Sequence, residues 1–312
     1  MPRSQEIRLA HSQNFLRDPR LIDALLDRST IQSRDLVYEI GPGTGIITEQ
    51  LAGRCRRVVA IEKDSRLAGY LHARFQAQPN ISIHAADFLR FPLPVTPYKV
   101  FANIPFALTT AIVARLTSAP IAPRDSYLVM QREAAERFIG SPRATLYATL
   151  LHPWFVAEIV HTFRPSDFRP VPKVESVLFR LCPRAQPLVS ASDTRFFRDF
   201  ITFAFTAPRP TLQWTLRACL GRRLTDHVLR RERLDPCATP SMLPGTLWLL
   251  LFEHLKDAGG AEARHVVAGA EQRLRLQQAS LSKIHRTRAG KDQQDLPWRR
   301  SPDCGRVVAD AD

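Results

Sequence analysis

The sequence predicts an α/β protein, a largely parallel sheet with helices, followed by a small C-terminal all-helical domain. Three observations carry that prediction. Between Leu36 and Arg180 short β-rich runs alternate with helical segments, the pattern of successive βα units. A glycine loop, Gly41-Pro42-Gly43-Thr44-Gly45, follows the first run and opens a helix. Beyond Ser192 apolar residues recur at helical spacing and no β run appears.

In chain order, the predicted parallel strands are Leu36 to Ile40, Val58 to Ile61, Ile81 to His84, Lys99 to Ala102, and Tyr127 to Met130. Phe155 to Phe163 and Ser176 to Leu181 read as an antiparallel hairpin closing the sheet edge. Their connection, Arg164 to Lys173, holds Pro165, Pro170 and Pro172 and is expected to be extended loop. Cys182 to Ser192 has two prolines and no periodicity, which makes it the expected linker. Asp193 then suits a helix N-cap, and Thr202 to Phe205, Leu212 to Leu220 and Leu243 to Leu255 carry helical spacing. These boundaries give an α/β domain over 1–181, a helical domain over 182–258, and a basic tail over 259–312 expected to be flexible after at most one helix.

The 312 residues suffice for one α/β domain of roughly 180 residues plus a smaller one. The formal net charge is +14, and only 6 of the 44 basic residues are lysines. Guanidinium groups fork onto phosphate and stack on bases, so a polyanionic partner is expected, although a GC-rich genome would leave the same arginine bias. The five cysteines are scattered without C-x-x-C spacing, as in a reduced, cytoplasmic protein. No apolar stretch approaches the roughly 20 residues of a membrane span, and the nine histidines lack ligand spacing, so neither membrane nor metal is expected. A monomer is expected.

The chemistry concentrates at the predicted strand ends. Gly41 and Gly43 allow a tight turn and close approach of backbone to a ligand. Glu62 ends the second run, at the distance beyond Gly41 where a nucleotide-binding unit carries its acid, and its carboxylate suits two ribose hydroxyls. Asp87 ends the third run, placed to accept from an adenine amine while Phe88 flanks the ring. No lysine follows Gly45, which disfavours a polyphosphate loop, and Ile46 stands where a dinucleotide fingerprint wants its third glycine. Acidic lining without a phosphate clamp suits adenosine carrying a positive sulfonium, that is S-adenosylmethionine.

Asn103-Ile104-Pro105-Phe106 ends the fourth run and so reaches the same sheet edge as Gly41. An adenine N6 amine is a poor nucleophile because its lone pair is delocalised into the ring. Two acceptors, the Asn103 side-chain oxygen and the Ile104 carbonyl, favour a tetrahedral nitrogen and stabilise the charge that grows as a methyl arrives. Pro105 aims that carbonyl, Phe106 stacks on the base, and in-line approach works by positioning. The base must first leave its stack. Phe168 offers a second aromatic clamp, unless it and Phe106 are merely core residues.

With these motifs on the page, the chain resembles the rRNA adenine N6-dimethyltransferases, which include the erythromycin-resistance (Erm) enzymes and the small-subunit (KsgA-type) enzymes. The likeness runs from about His11 to Leu181 through Ser12-Gln13-Asn14-Phe15-Leu16, the glycine loop, Glu62, Asp87, Asn103 to Phe106, Met130-Gln131-Arg132-Glu133, and Phe168 to Ser176. It implies a Rossmann-like class I SAM-dependent methyltransferase fold and a helical RNA-binding domain. It also implies that Asn14 and Leu16 touch the methionine end of the donor, that Glu62 and Asp87 hold its ribose and adenine, and that Asn103 and Phe106 engage the target base. Ser12 before Gln-Asn, Ile104, and Lys283 to Arg288 in the tail resemble the Erm branch, so 23S rRNA is the favoured partner. Phe106 departs from the commoner tyrosine, and Ala207 to Thr211 stands where many relatives are more basic. A 16S enzyme, a non-catalytic RNA-binding relative and a DNA adenine methyltransferase are the alternatives.

Overall fold

Alternation of apolar side chains along short runs puts residues on two sheet faces, and both faces are covered. In the computed structural model, which describes residues 14–280, the strands are β1 (Phe15–Leu16), β2 (Leu36–Ile40), β3 (Arg57–Glu62), β4 (Ile81–Ala85), β5 (Lys99–Asn103), β6 (Ser126–Gln131), β7 (Phe155–Thr162), β8 (Phe168–Arg169) and β9 (Ser176–Pro183). Seven of them form one sheet in the order β4-β3-β2-β5-β6-β9-β7. On one face Val37, Val58, Ala60, Phe101 and Val129 pack with Ile22, Leu25, Ile47, Leu51 and Leu71. Those partners come from helices α1 (Pro19–Asp27), α2 (Ile46–Ala52) and α3 (Ser65–Phe75). On the other face Tyr38, Ile40, Val59, Ile61, Val100 and Ala102 pack with Ile112, Val113 and Leu116 of α4 (Thr109–Thr117) and with Phe138 of α5 (Arg132–Ile139). Each Val, Leu, Ile or Phe among them contributes about 1.5–3 kcal/mol by leaving water.

The five predicted parallel strands are all present, and the first four pair in parallel with β6 at their side. The expected hairpin is present too: β9 runs antiparallel to β6, and β7 runs antiparallel to β9 as the outermost strand, with a register shift between Ile159 and His161. Strand order reverses direction at β2. From β2 the chain moves outward through β3 to β4, then returns to β5 on the other side of β2 and continues to β6. Connections that leave in opposite directions open a crevice at the carboxyl ends of β2 and β5.

The link from Arg164 to Lys173 is not loop throughout. Pro165–Asp167 forms a single 3-10 turn and Phe168–Arg169 forms β8, which pairs with β1 in the register Phe15↔Arg169 and Leu16↔Phe168. Prolines at 165, 170 and 172 lack N–H groups, but Phe168 and Arg169 keep theirs and find a partner strand.

The chain divides into two compact units, Met1–Leu188 and Val189–Asp312. The second is helical in its described part: α7 (Thr194–Thr206), α8 (Leu212–Arg231), α9 (Gly245–His254), α10 (Gly260–Val267) and α11 (Ala270–Ser280), with α6 (Leu146–Leu151) lying before it in the first unit. Its core is aromatic, with Phe196 and Phe197 at 5.1 and 5.2 Å from Phe252 and Phe200 at 5.6 Å from Trp248. Asp193 does not cap α7 as expected; its carboxylate is turned to Arg264 and Lys256 instead. The boundary expected at 258 is also displaced, because α10 and α11 belong to this unit. The buried Asp199 carboxylate accepts from the backbone N–H of Gly269 and of Glu271, both at 3.0 Å, and Arg198 grips Glu271 with two nitrogens. A cap supplied from so far back along the chain leaves no local signal, so the polar α11 read as tail. The basic segment from Lys283 to Arg288 lies outside the described residues.

Replacing Asp199 with Ala leaves two backbone donors without their acceptor, at a cost of about 1–3 kcal/mol each when buried. We expect a lower denaturant midpoint and loss of amide-exchange protection at Gly269 and Glu271, with Asp199→Asn intermediate; unchanged protection at both amides would refute the capping role.

Candidate active site

The crevice between β2 and β5 is built from backbone first. Gly41, immediately after β2, takes φ +68° and donates its N–H to the Ile61 carbonyl at 2.9 Å. No atom lies within 4 Å of where its Cβ would stand, so space opens above the turn. Gly43, at φ +56°, has the opposite surroundings: a Cβ there would lie 2.3 Å from the Phe15 ring, which rests directly on the glycine. Any side chain at 43 would therefore force the Phe15 ring out of its place. Glu62, at the end of β3, fixes the loop from beneath, since Oε2 accepts from Gly43 N–H at 3.2 Å and Oε1 from Asp64 N–H at 2.9 Å. Each oxygen keeps a second acceptor site.

A cleft of about 470 Å³, measured out to its open mouth, lies against this loop and is lined by Asn14, Leu16, Gly41, Asn103, Ile104 and Phe106 among others. Asn103 is the last residue of β5, and its amide nitrogen donates to the Asn14 carbonyl at 2.6 Å. The amide oxygen has no donor among the described residues. Ile104 is pinned by its buried side chain and by its N–H to the Val129 carbonyl at 3.3 Å. Pro105 follows at φ −60°, and Phe106 begins a 3-10 turn, half-buried, with its carbonyl accepting from Thr109 Oγ1 at 3.0 Å. Among the described residues neither the Asn103 amide oxygen nor the Ile104 carbonyl meets a donor, and both residues line the cleft with Phe106.

Of the residues expected from sequence, Asn14, Leu16, Gly41 and Asn103 to Phe106 come together in this cleft, whereas Gly43, Glu62 and Asp87 do not line it: Gly43 lies in the glycine loop, Glu62 at the end of β3 and Asp87 two residues past β4. Asp87 is held by Lys63 Nζ at 2.9 Å and by Leu89 N–H at 2.9 Å, and the Lys63 bond chiefly lowers its pKa, keeping it charged. Two expectations are corrected. Phe88 does not present its ring to a ligand; the ring is buried among the core residues of the second face, beneath the Arg115 guanidinium. Phe168 is no clamp either, being 1 % exposed and packed edge-on against Phe163 at 5.2 Å. Its strand pairs with β1, so Phe168 serves the cleft by holding the segment of Asn14 to Leu16. Sequence reading assigned no role to Phe15, Ile46 and Ile47, which also line the cleft. Their signal was adjacency to the glycine loop and to Asn14.

Glu39 was also passed over, although it opens the glycine motif. It is buried on β2, Thr48 Oγ1 donates to its Oε2 at 2.6 Å, and its Oε1 has no hydrogen-bond partner among the described residues. Burial pushes its pKa up to about 8, with the Glu62 charge adding to the effect and the Thr48 bond opposing it. Among the described residues no cluster of His, Cys, Asp or Glu could hold a metal ion, and no helix is long and apolar enough to cross a membrane.

The fold and this strand-end site define a class I methyltransferase, and comparison with known proteins makes the class specific. Residues 4–257 match the model of the ribosomal RNA adenine dimethylase family. The ribosomal RNA small subunit methyltransferase A of Synechococcus sp. (strain JA-3-3Ab) is 35% identical over 256 residues, covering 78% of this chain and 91% of that one. An rRNA adenine N-6-methyltransferase of Saccharopolyspora erythraea is 32% identical over 244 residues, covering 78% and 64%. The solved structure of the 23S rRNA methyltransferase ErmE superposes with a TM-score of 0.72 at 32% identity, covering 78% of this chain and all of that one. The chain belongs to the ribosomal RNA adenine dimethylase family. It is an rRNA adenine N6-methyltransferase that uses S-adenosylmethionine. The site fits that cofactor: the space left open over Gly41 lets a ligand approach the backbone, and ionised Asp87 is a ready hydrogen-bond acceptor.

Folding raises the Glu39 pKa from 4.5 to about 8, so between those values the folded chain holds a proton that the unfolded chain has released. The associated stability is complete below pH 4.5 and is lost as pH rises through about 8. Glu39→Gln keeps the neutral form at every pH. We expect its Tm to fall less than that of the parent chain across this window in the absence of cofactor; parallel Tm profiles would contradict a protonated Glu39.

Proposed function

We propose that this enzyme methylates N6 of one adenine in 23S rRNA and so protects ribosomes from macrolide, lincosamide and streptogramin B antibiotics. The observation that carries the reading is the similarity to ErmE over that protein's whole length. The Asn-Ile-Pro-Phe rim and Ser12 before Gln13-Asn14 support it from sequence.

The residues would act as follows. Glu62 and Asp87 hold the ribose and adenine of the donor, with Gly41 and Gly43 admitting it close to backbone and Asn14 and Leu16 against its methionine end. S-adenosylmethionine supplies a methyl group on a positively charged sulfur when bound. The extruded adenine lies with one face on Phe106. Its amino hydrogens meet the Asn103 side-chain oxygen and the Ile104 carbonyl, both fixed in advance by the Asn14 bond and by Pro105. Those acceptors favour a tetrahedral nitrogen whose lone pair faces the methyl, and they stabilise the charge that develops there. The nitrogen then loses a proton to water.

A small-subunit target is the second reading, favoured by the 35% identity to the Synechococcus enzyme. Expression in a macrolide-sensitive bacterium, followed by mass spectrometry of rRNA fragments, separates the two. We expect erythromycin resistance and a methylated 23S adenine; unchanged sensitivity with modification confined to 16S rRNA would establish the second reading instead. Asn103→Ala should bind the donor within a few-fold of the parent in calorimetry while kcat falls about 10²–10³-fold, the scale for losing a transition-state acceptor. An equal loss of donor affinity would remove Asn103 from the methyl-transfer step.

A further inference from the structure

Many arginines of the α/β unit are paired with carboxylates: Arg54 with Asp23 and Asp27, Arg74 with Glu49, Arg180 with Asp125 and Glu158. Three that lie together are not. Arg34, Arg56 and Arg124 are exposed and line one cavity of about 460 Å³, measured like the cleft out to its open mouth, together with Asp35, Tyr98 and Lys99, at the amino ends of β2, β3, β5 and β6. None of the three guanidinium groups has a hydrogen-bond, ion-pair or ring partner among the described residues.

Their backbones are nevertheless fixed. Arg56 donates its N–H to the Asp35 carbonyl at 3.0 Å, and Arg124 donates to the Tyr98 carbonyl at 2.8 Å. Arg34 directly precedes Asp35, whose own N–H is tied to Gln32 at 2.9 Å. Asp35 cannot neutralise them, because its Oδ2 already accepts from buried Lys99 Nζ and from Gln32 N–H, each at 2.7 Å. Four cations thus face one carboxylate that is already engaged. Like charges held together repel, and a multidentate oxyanion reverses the sign of that energy, with guanidinium forks matching phosphate oxygens in pairs.

We propose that Arg34, Arg56 and Arg124 form a phosphate-binding site on the amino edge of the sheet that grips a phosphodiester of the RNA substrate. The proposal rests on rRNA being the substrate. A five-residue strand separates this edge from the cleft by about 17 Å, so the phosphate held here belongs to a stretch of RNA other than the extruded nucleotide. The site adds affinity and orientation; it reads no base and touches no reacting atom.

The test compares the full chain with its R34Q/R56Q/R124Q variant, using an rRNA fragment that the parent methylates and titrating affinity against salt. Each phosphate contact contributes roughly 0.7–0.9 to the slope of log K against log salt. We expect the slope to fall by about 0.7–0.9, the share of one phosphate, and affinity in roughly 0.1 M salt by about 10-fold, with kcat at saturating RNA and donor affinity unchanged. Arg56→Glu alone should weaken binding further than Arg56→Gln. Titration of inorganic phosphate into both proteins distinguishes a free anion from RNA. Phosphate bound by the parent alone, with an equal RNA slope in both proteins, would overturn the RNA assignment; equal slopes without phosphate binding would overturn the site. Failure of the parent to methylate any rRNA is a separate result, which falls on the functional reading and is seen without any variant.

Discussion

The parallel register of β2 against β5, Val37 beside Lys99 and Tyr38 beside Val100, is the constraint on which the rest depends. These strands are neighbours in space but distant in sequence, with β3 and β4 between them, and the chain leaves them toward opposite faces: α2 packs on one, α4 on the other. The two segments that follow, a glycine turn and a proline turn, therefore face each other across a gap that neither helix fills. Chemistry is placed there because the divergence leaves backbone acceptors and open volume side by side.

Once the gap exists, its walls are set by hydrogen bonds that look structural and act chemically. Glu62 holds the glycine turn through Gly43 and the start of the next helix through Asp64, and each of its oxygens retains acceptor capacity. Asn103 divides its amide in a similar way, with nitrogen on the Asn14 carbonyl and oxygen without a donor among the described residues. The segment of Asn14 is itself held by β8 and by the contact of Phe15 with Gly43. Orientation of the acceptor thus depends on a short strand, Phe168–Arg169, that is made long after both Asn14 and Asn103 in the order of the chain.

Much of this was legible in the sequence. Apolar alternation located the five parallel strands and the hairpin, since burial on both faces leaves continuous runs such as Val58 to Ile61. Glycines, acids and the tetrapeptide were legible because each sits at a strand end where only a few residue types serve. What failed was everything decided by distant partners. Phe168 and Phe88 have the composition of clamps, yet whether a ring faces a ligand or the core depends on the neighbouring face, which no local pattern encodes. Asp193 had the right type and position for a cap but met Arg264 and Lys256, and α11 owes its place to Asp199. Glu39 drew no reading from sequence, since only its burial beside Glu62 makes it a reservoir for a proton.

The register shift between Ile159 and His161 has a meaning for life in a crowded cell. As the sheet's last strand, β7 turns one side of its main chain outward, and an even row of amide and carbonyl groups there would invite another chain to dock edge to edge. The irregularity breaks the spacing that such zippering needs, and charged Glu158 beside it adds a penalty for dehydration. An edge interrupted in this way makes a poor template for pairing with a second copy of the same strand.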